Sequence, residues 1–209
     1  IDTRIAGIEM KWPAALINVR NQKNVLIDGD GLINGEGKVF WDYYWDLRKN
    51  DYEPKGLRWI VDYDAKRPRT FLISNSQNVF LKDLNIQKAG FWTIQVLYSE
   101  YITTIGSETS GSIRHVYASN IRGFGTKNGL NIKSATTRGG IVEDVYMENI
   151  KMDSVRTFME VSMNWNPSYS YSKLPEGYDE NEIPIHWKKM LTHVEPPSKG
   201  IPQFKDISL

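Results

Sequence analysis

Short runs of alternating apolar and polar residues recur along the chain. A polar residue, often Asn, precedes a short alternation of apolar or β-branched positions, which ends at Asn, Gly or Asp. An alternation with a period of two is typical of a β-strand with one buried face. The clearest copies begin at residues 24, 78, 99, 113, 142 and 204. No segment shows the periodicity of a long amphipathic helix, so the pattern predicts an all-β chain of short strands.

The spacing of these runs favours a solenoid, in which each coil stacks on the previous one. From Val79 to Tyr101 is 22 residues and from Val116 to Val145 is 29, and both lengths suit one coil. A β-sandwich is the alternative, but it would need matched hairpins with tight two-residue turns such as Asp28-Gly29. The repeated Asn-containing run favours the solenoid, so we expect a single parallel β-helix domain over residues 1–209.

One spacing breaks the pattern. From Tyr101 to Val116 is only 15 residues, too few to close a coil of three strands at about 3.3 Å per residue. We therefore expect an interruption near residues 104–105, where either a loop replaces a coil or residues are missing. We also expect truncation at both ends, because Ile1 lacks a capping element and Leu209 stops within a strand run.

Two long segments leave the strand pattern, residues 38–70 and 164–200. Both are rich in Trp and Tyr, and the second holds five of the nine prolines. We expect them to be long aromatic loop excursions from the solenoid. Such excursions either gather into a binding groove or pack against neighbouring coils, and the sequence leaves both interpretations open.

The composition narrows the function classes. With 26 basic and 25 acidic residues the formal charge is +1, so no overall field favours nucleic acid or an anionic membrane as a partner. No apolar run approaches the roughly 20 residues of a membrane helix, and no signal peptide is evident. The chain has no Cys and three His, of which His186 and His193 are too far apart for a helical zinc motif, so we expect neither metal nor cofactor. The 12% of aromatic residues favours carbohydrate stacking.

Several phrases carry a resemblance to a known family. They are the glycine-spaced run 25–37 followed by Trp41, the segments 67–69 and 90–95, the run 105–111, and the run 129–134 with Arg138-Gly139-Gly140. In this order they resemble glycoside hydrolase family 28, the polygalacturonases and their relatives. The resemblance implies a right-handed parallel β-helix, secreted or periplasmic, that hydrolyses galacturonosyl linkages of pectic polysaccharide with inversion and without a cofactor.

The phrases that carry this family's catalysis do not occur in the sequence. The family uses aspartates in an N-T-D phrase and a D-D pair, close to a G-H-G phrase, and all three are missing. They would fall near the predicted interruption. The catalytic residues are therefore unknown, with Glu108 as a weak candidate and Asp83 or Asp144 as the next alternatives. Two hypotheses follow: a hydrolase of pectic polysaccharide in its full-length form, or a non-catalytic sugar-binding or structural β-helix that lacks the acids.

The resemblance also implies a set of substrate-binding residues. Lys133 matches the lysine of the family's R-I-K phrase, which binds a substrate carboxylate as a point charge. Asn131 stands where that phrase has arginine, Arg138 offers a second carboxylate contact, and Trp92 and Gln95 would line the groove. The alternatives are a solvated strand lysine for Lys133, a corner residue for Arg138 and core burial for Trp92.

Two carboxylate pairs lie in the first aromatic segment, Asp42 with Asp46 and Asp62 with Asp64. Paired carboxylates are candidates for acid–base chemistry. Neither pair matches a phrase of the family, so we interpret all four residues as surface charges.

Overall fold

The computed structural model of the protein describes residues 1–102, 113–125, 128–137 and 139–209. Glu108, Arg138 and the predicted interruption near 104–105 lie outside these ranges, so the interruption stays a prediction. The strands are β1 Asp2–Ile5, β2 Ile8–Lys11, β3 Ile17–Arg20, β4 Lys23–Asp28, β5 Leu32–Asn34, β6 Phe71–Ser74, β7 Gln77–Lys82, β8 Asn85–Gln87, β9 Ile94–Leu97, β10 Glu100–Ile102, β11 Ile113–Ser119, β12 Arg122–Phe124, β13 Asn128–Lys133, β14 Ile141–Glu148, β15 Lys151–Asp153, β16 Thr157–Ser162 and β17 Gln203–Ser208. The α-helices are α1 Lys38–Leu47, α2 Val61–Asp64, α3 Pro167–Ser170 and α4 Ile185–Leu191, with a π-helical turn at Arg48–Tyr52 and a 3₁₀ turn at Pro197–Gly200.

Strands one coil apart lie side by side and parallel, in a repeating order. In the first half of the chain the sheets are β3-β6-β9, β4-β7-β10 and β5-β8, and in the second half they are β11-β14-β17, β12-β15 and β13-β16. Within each half, every turn of the chain adds one strand to each sheet in the same order. This arrangement is consistent with a β-helix. The 29-residue spacing is confirmed, because Val116 lies opposite Val145. The first spacing is one residue longer than predicted, since Val79 lies opposite Ile102.

The recurring Asn residues occupy left-handed bends of the backbone, called corners here: Asn24 and Asn78 are the second residues of β4 and β7, and Asn120 and Asn149 directly follow β11 and β14. Asn24 and Asn78 have φ of 56° and 54°, and Asn120 and Asn149 have φ of 57° and 52°. This left-handed region costs Asn less than most residues, because its short polar side chain can hydrogen-bond locally. The corners also stack, and Asn78 Nδ2 donates to Asn24 Oδ1 at 2.9 Å. The repeated Asn in the sequence is therefore the signature of a repeated corner.

Two glycines of the glycine-spaced run are required for different structural reasons. Gly29 adopts φ of +138°, as expected for a corner. Gly37 is needed for close approach instead, because a Cβ there would lie 2.5 Å from the carbonyl oxygens of Lys88 and Ala89. The first coil and the second therefore touch backbone to backbone at this point.

The two aromatic excursions are partly helical, so their prediction as loops was wrong. The first contains α1, the π-helical turn and α2, and the second contains α3 and α4. Helix α1 begins after Gly37 without a side-chain cap and is built largely from aromatic residues of low helix propensity. Its sequence signal is weak because tertiary packing stabilises it, with Tyr44 buried against Val61 and Ala65. The chain as a whole is mostly β.

The excursions pack against each other and against an N-terminal hairpin. Strands β1 and β2 pair antiparallel through a two-residue turn at Ala6 and Gly7, both with positive φ. Side chains from the hairpin and both excursions form one buried cluster, named here the excursion core: Ile5, Ile8, Trp12, Leu57, Trp59, Ile60, Tyr63, Tyr169, Ile183, Trp187 and Met190. The two excursions therefore pack against each other and against the hairpin.

The interior of the coils holds two further apolar clusters. One lies between the sheets of β3 to β10 around Val19, Ile73 and Val79, and the other lies within the coils of β11 to β17 around Leu130, Val142 and Val145. All four residues of β6 are buried, so this strand is covered on both faces. Within the described ranges, no helix combines the length and apolar character needed to cross a membrane.

Candidate functional site

The outward face of β13 presents two of the predicted binding residues together. Leu130 and Ile132 are buried in the interior of the coil, while Asn131 and Lys133 alternate with them and are half-buried. Because side chains alternate along a strand, Asn131 and Lys133 project from the opposite face of the sheet. The parallel register places Glu160 beside Asn131 and Ser162 beside Lys133. The face is therefore polar at these four positions, and the exposed Phe158 lies on it two residues before Glu160.

The ring of Trp165 lies against the ammonium group of Lys133 at the end of this face. Lys133 Nζ is 3.9 Å from the centroid of the Trp165 ring, a cation–π contact. Trp165 follows β16, and its backbone N–H donates to Ser134 O at 3.4 Å. The ring holds the ammonium group of Lys133 at a defined position, and a cation held in this way can bind a ligand carboxylate.

Tyr169 supports Trp165 from the second excursion. The two ring centroids lie 5.0 Å apart. The short helix α3 that carries Tyr169 is capped at Asn166, whose side chain accepts from Ser168 N at 3.1 Å, and it begins with Pro167. Tyr169 is buried, so the ring behind Trp165 is fixed by packing as well as by the helix.

Asp62 in turn holds Tyr169 from the first excursion. The Tyr169 hydroxyl donates to Asp62 and accepts from Arg58 Nη1 at 2.7 Å. Asp62 also accepts from Arg58 at 2.8 Å and from Arg67 at 2.7 Å. Burial lowers the pKa of the Arg67 guanidinium, and the charge of Asp62 opposes that shift. The interpretation of Asp62 as a surface charge was wrong, because it is the centre of a partly buried ion network.

Asp64 is likewise not a surface charge. Its carboxylate lies 2.6 Å from His186 Nε2 and accepts from Tyr52 OH at 2.8 Å and from Trp187 Nε1 at 3.0 Å. Burial and the hydrogen bond to Asp64 raise the pKa of Tyr52. Asp42 and Asp46 are exposed, as expected. The spacing of the carboxylates in the sequence does not distinguish the partly buried pair from the exposed pair. The burial depends on Tyr169 and His186, which lie more than 100 residues away in the chain.

Gln95 is buried, not exposed in a groove. Its Oε1 accepts from Arg69 Nη1 at 2.5 Å and its Nε2 donates to Arg4 O at 3.1 Å. It therefore ties β9 to the hairpin, because the hairpin covers the outer face of the β3-β6-β9 sheet. Trp92 is half-buried and stacks on Phe91 with the ring centroids 4.1 Å apart, in contact with the excursion core.

Arg69 is a structural residue that sequence reasoning missed. Its side chain is only 1% exposed, and it donates to Thr3 Oγ1 at 3.2 Å and to Pro13 O at 3.1 Å in addition to Gln95. Burial lowers the pKa of its guanidinium to about 10. The only signal in the sequence is the Arg67-Pro68-Arg69 phrase directly before β6.

The alternative catalytic acids lie away from the β13 face. Asp83 is exposed at the corner between β7 and β8, 3.3 Å from Lys82. Asp144 is exposed on β14, where it lies 2.6 Å from His115 Nδ1. Both belong to coils or sheets other than the β13-β16 sheet, and Glu108 and Arg138 lie outside the described residues. The structure thus brings together Asn131 and Lys133 of the predicted site and adds Glu160 and Trp165.

Comparison with known proteins confirms the resemblance to polygalacturonases. A probable polygalacturonase of Vitis vinifera is 29% identical to this chain over 84 residues. These residues are 40% of this chain and only 16% of that protein, so the match spans far less than two thirds of its length. No protein-family model matches the chain. No solved structure matches it.

Proposed function

We propose that this chain is part of a family 28 type glycoside hydrolase with a right-handed parallel β-helix, and that its β13 face binds pectic oligosaccharide. The observation that carries the proposal is the position of Lys133 Nζ, 3.9 Å over the Trp165 ring on the outward face. The similarity to a probable polygalacturonase and the repeating register of parallel strands support it. A secreted or periplasmic location is part of the same proposal.

The β13 face would bind a galacturonosyl residue through three kinds of contact. The Lys133 ammonium attracts the sugar carboxylate as a compact point charge. The edge of the Trp165 ring can contact the sugar, since Lys133 lies over the ring and Tyr169 packs behind it, and the Asn131 side-chain NH2 group can donate to sugar hydroxyls. Arg138 remains a proposed second cation by resemblance. No metal or cofactor takes part in this binding.

Cleavage would follow the inverting mechanism in the full-length protein. That mechanism needs a carboxylic acid that protonates the leaving oxygen and a carboxylate that activates water, with the two groups about 6.5 to 9.5 Å apart. Each of these roles contributes roughly 10²- to 10⁴-fold to the rate. Since the family's aspartate phrases are missing from the sequence, we propose that this 209-residue chain binds pectic oligosaccharide without cleaving it.

The second candidate function is a non-catalytic sugar-binding or structural β-helix. The missing N-T-D, D-D and G-H-G phrases favour it. The genomic sequence around Thr104 and Ile105 distinguishes the two candidate functions. Two further coils with aspartates at that point support the hydrolase, and an uninterrupted reading frame supports the non-catalytic protein.

Titration calorimetry with galacturonate oligomers tests the proposed binding. We expect weak binding that falls with added salt, and about tenfold weaker binding for Lys133→Ala, because the carboxylate loses its counter-charge. Lys151→Ala is the matched control, since Lys151 is an exposed strand lysine of the neighbouring sheet β12-β15. Equal affinities for the wild type and Lys133→Ala would refute the proposed site.

A further inference from the structure

We infer that Glu160 is a specificity-determining residue of the β13 face, which excludes a second negative charge beside the sugar held at Lys133. The inference rests on the proposed function. It assigns the ligand as a pectic oligosaccharide in which the sugar next to the bound uronate carries no charge. That neighbour is either a methyl-esterified uronate or a neutral sugar.

The register places Glu160 on the same face as the proposed binding residues. Glu160 lies directly opposite Asn131, and Ser162 lies opposite Lys133. Neighbouring strands are about 4.8 Å apart, and positions two residues apart on a strand are about 6.6 Å apart. Glu160 and Lys133 are therefore diagonal neighbours, roughly 8 Å apart at their backbones. A sugar bound at Lys133 consequently has its neighbour within reach of Glu160.

The surroundings of Glu160 keep its charge at the surface. Its side chain is exposed and accepts a hydrogen bond from Asn128 Nδ2. An amide donor orients a carboxylate without cancelling its charge. Among the residues that the structure describes, Glu160 forms no ion pair. The Glu160 carboxylate is thus oriented by an uncharged partner, and no cation of the described residues is paired with it.

Asn131 makes the discrimination sharper. The resemblance implies arginine at this position, and an arginine beside Glu160 would pair with it and leave room for an acidic sugar. Asn131 carries no charge, so Glu160 faces an incoming carboxylate without compensation. Two carboxylates at contact distance on an exposed surface repel, and this repulsion weakens binding of the fully charged ligand.

Three oligosaccharides of equal length test this inference by calorimetry at low salt. They are an oligogalacturonate with all carboxylates free, the same oligomer methyl-esterified on alternate sugars, and an oligomer of alternating uronate and neutral sugars. We expect the wild type to bind the two partly neutral oligomers about fivefold more tightly than the fully charged one. In Glu160→Gln the difference should vanish, because binding of the fully charged oligomer tightens. Asp153→Asn, an exposed acid of the same coil, should leave all three affinities unchanged.

The outcomes separate this inference from the proposed function. If Lys133→Ala weakens binding of all three oligomers but Glu160→Gln changes none of them, the inference is wrong and the binding site stands. If Lys133→Ala changes nothing either, the proposed function fails. Tighter binding of one partly neutral oligomer, lost in Glu160→Gln, supports the inference and identifies which uncharged neighbour the site accepts.

Discussion

His186 Nε2 lies 2.6 Å from Asp64 Oδ1, although the two residues are 122 positions apart in the chain. The contact joins α2 of the first excursion to α4 of the second. The same carboxylate accepts hydrogen bonds from Tyr52 and Trp187, and the side chains of Asp64 and His186 are both mostly buried. Asp64 is therefore the polar connection between two segments that the strand pattern leaves unassigned.

Replacing Asp64 by Ala should destabilise the protein by about 2 to 4 kcal/mol, because the change leaves three partly buried donors without their acceptor. Thermal unfolding followed by circular dichroism measures the effect. Asp42→Ala is the control, since Asp42 is exposed and pairs with Lys38 one helical turn away, and the loss of this pair should change stability by no more than about 0.5 kcal/mol. Equal losses in both variants would show that the Asp64 contact contributes no special stability.

Two substitutions of Tyr169 should separate folding from binding. Tyr169→Phe removes the hydroxyl between Asp62 and Arg58 but keeps the ring behind Trp165, so we expect a stability loss of about 1 to 2 kcal/mol and unchanged affinity. Tyr169→Ala also removes the support of Trp165 and should weaken oligogalacturonate binding several-fold. Both variants are compared by calorimetry at a temperature where each is folded. An unchanged affinity in a folded Tyr169→Ala protein would contradict the positioning role.

Gln95→Ala should lower stability rather than affinity. The change removes one of the three hydrogen-bond acceptors of the buried Arg69 guanidinium, and we expect a cost of about 1 to 3 kcal/mol in unfolding free energy. Urea unfolding gives the stability and calorimetry gives the binding. A stable Gln95→Ala protein that no longer binds oligogalacturonate would restore the groove-lining role that the family resemblance implies.

Glu143 should make stability depend on pH in acid. It lies between Arg114 and Lys205 on neighbouring strands, 2.5 Å from each, and the hydrogen bond from Lys205 and the charge of Arg114 lower its pKa. A carboxyl group with a lowered pKa in the folded state adds stability above its unfolded pKa, about 4.3, and loses it as pH falls through the folded pKa.

Melting temperatures between pH 7 and pH 3 test this expectation. Glu143→Gln should melt below the wild type at pH 7, and the two curves should converge in acid. A constant difference at every pH would mean that the charge of Glu143 contributes nothing. A change of melting temperature close to pH 7 would come from the titration of groups other than Glu143.

The strand ladder could be predicted because it is a local property of the sequence. Asn24, Asn78, Asn120 and Asn149 mark corners whose left-handed backbone favours Asn, and the strands between them alternate with a period of two. The hairpin turn at Ala6 was not predictable in this way, since Ala is not a residue that favours positive φ. Its conformation follows from the packing of Ile5 and Ile8 in the excursion core.

The candidate site was predictable only in part. Asn131 and Lys133 are two positions apart in the sequence, so a strand places them on the same face. Glu160 and Trp165 join them only through the parallel register of β13 and β16, which sets residues 29 positions apart side by side. The alternation along β9 predicts that Gln95 points outward. It is nevertheless buried, because the N-terminal hairpin packs over that sheet, which the local sequence does not reveal. Long-range packing, and not local propensity, decides these cases.

The excursion core also constrains how the protein is made. Neighbouring coils can pair as soon as two of them have left the ribosome, because their contacts are only a few dozen residues apart. The packing around the hairpin is completed in two steps along the chain. Residues of the first excursion, such as Trp59 and Tyr63, contribute to the excursion core first, and Trp187 and Met190 of α4 join only later. The last contact spans 180 positions, from Lys189 Nζ to Glu9 O, and contacts of such sequence separation form slowly.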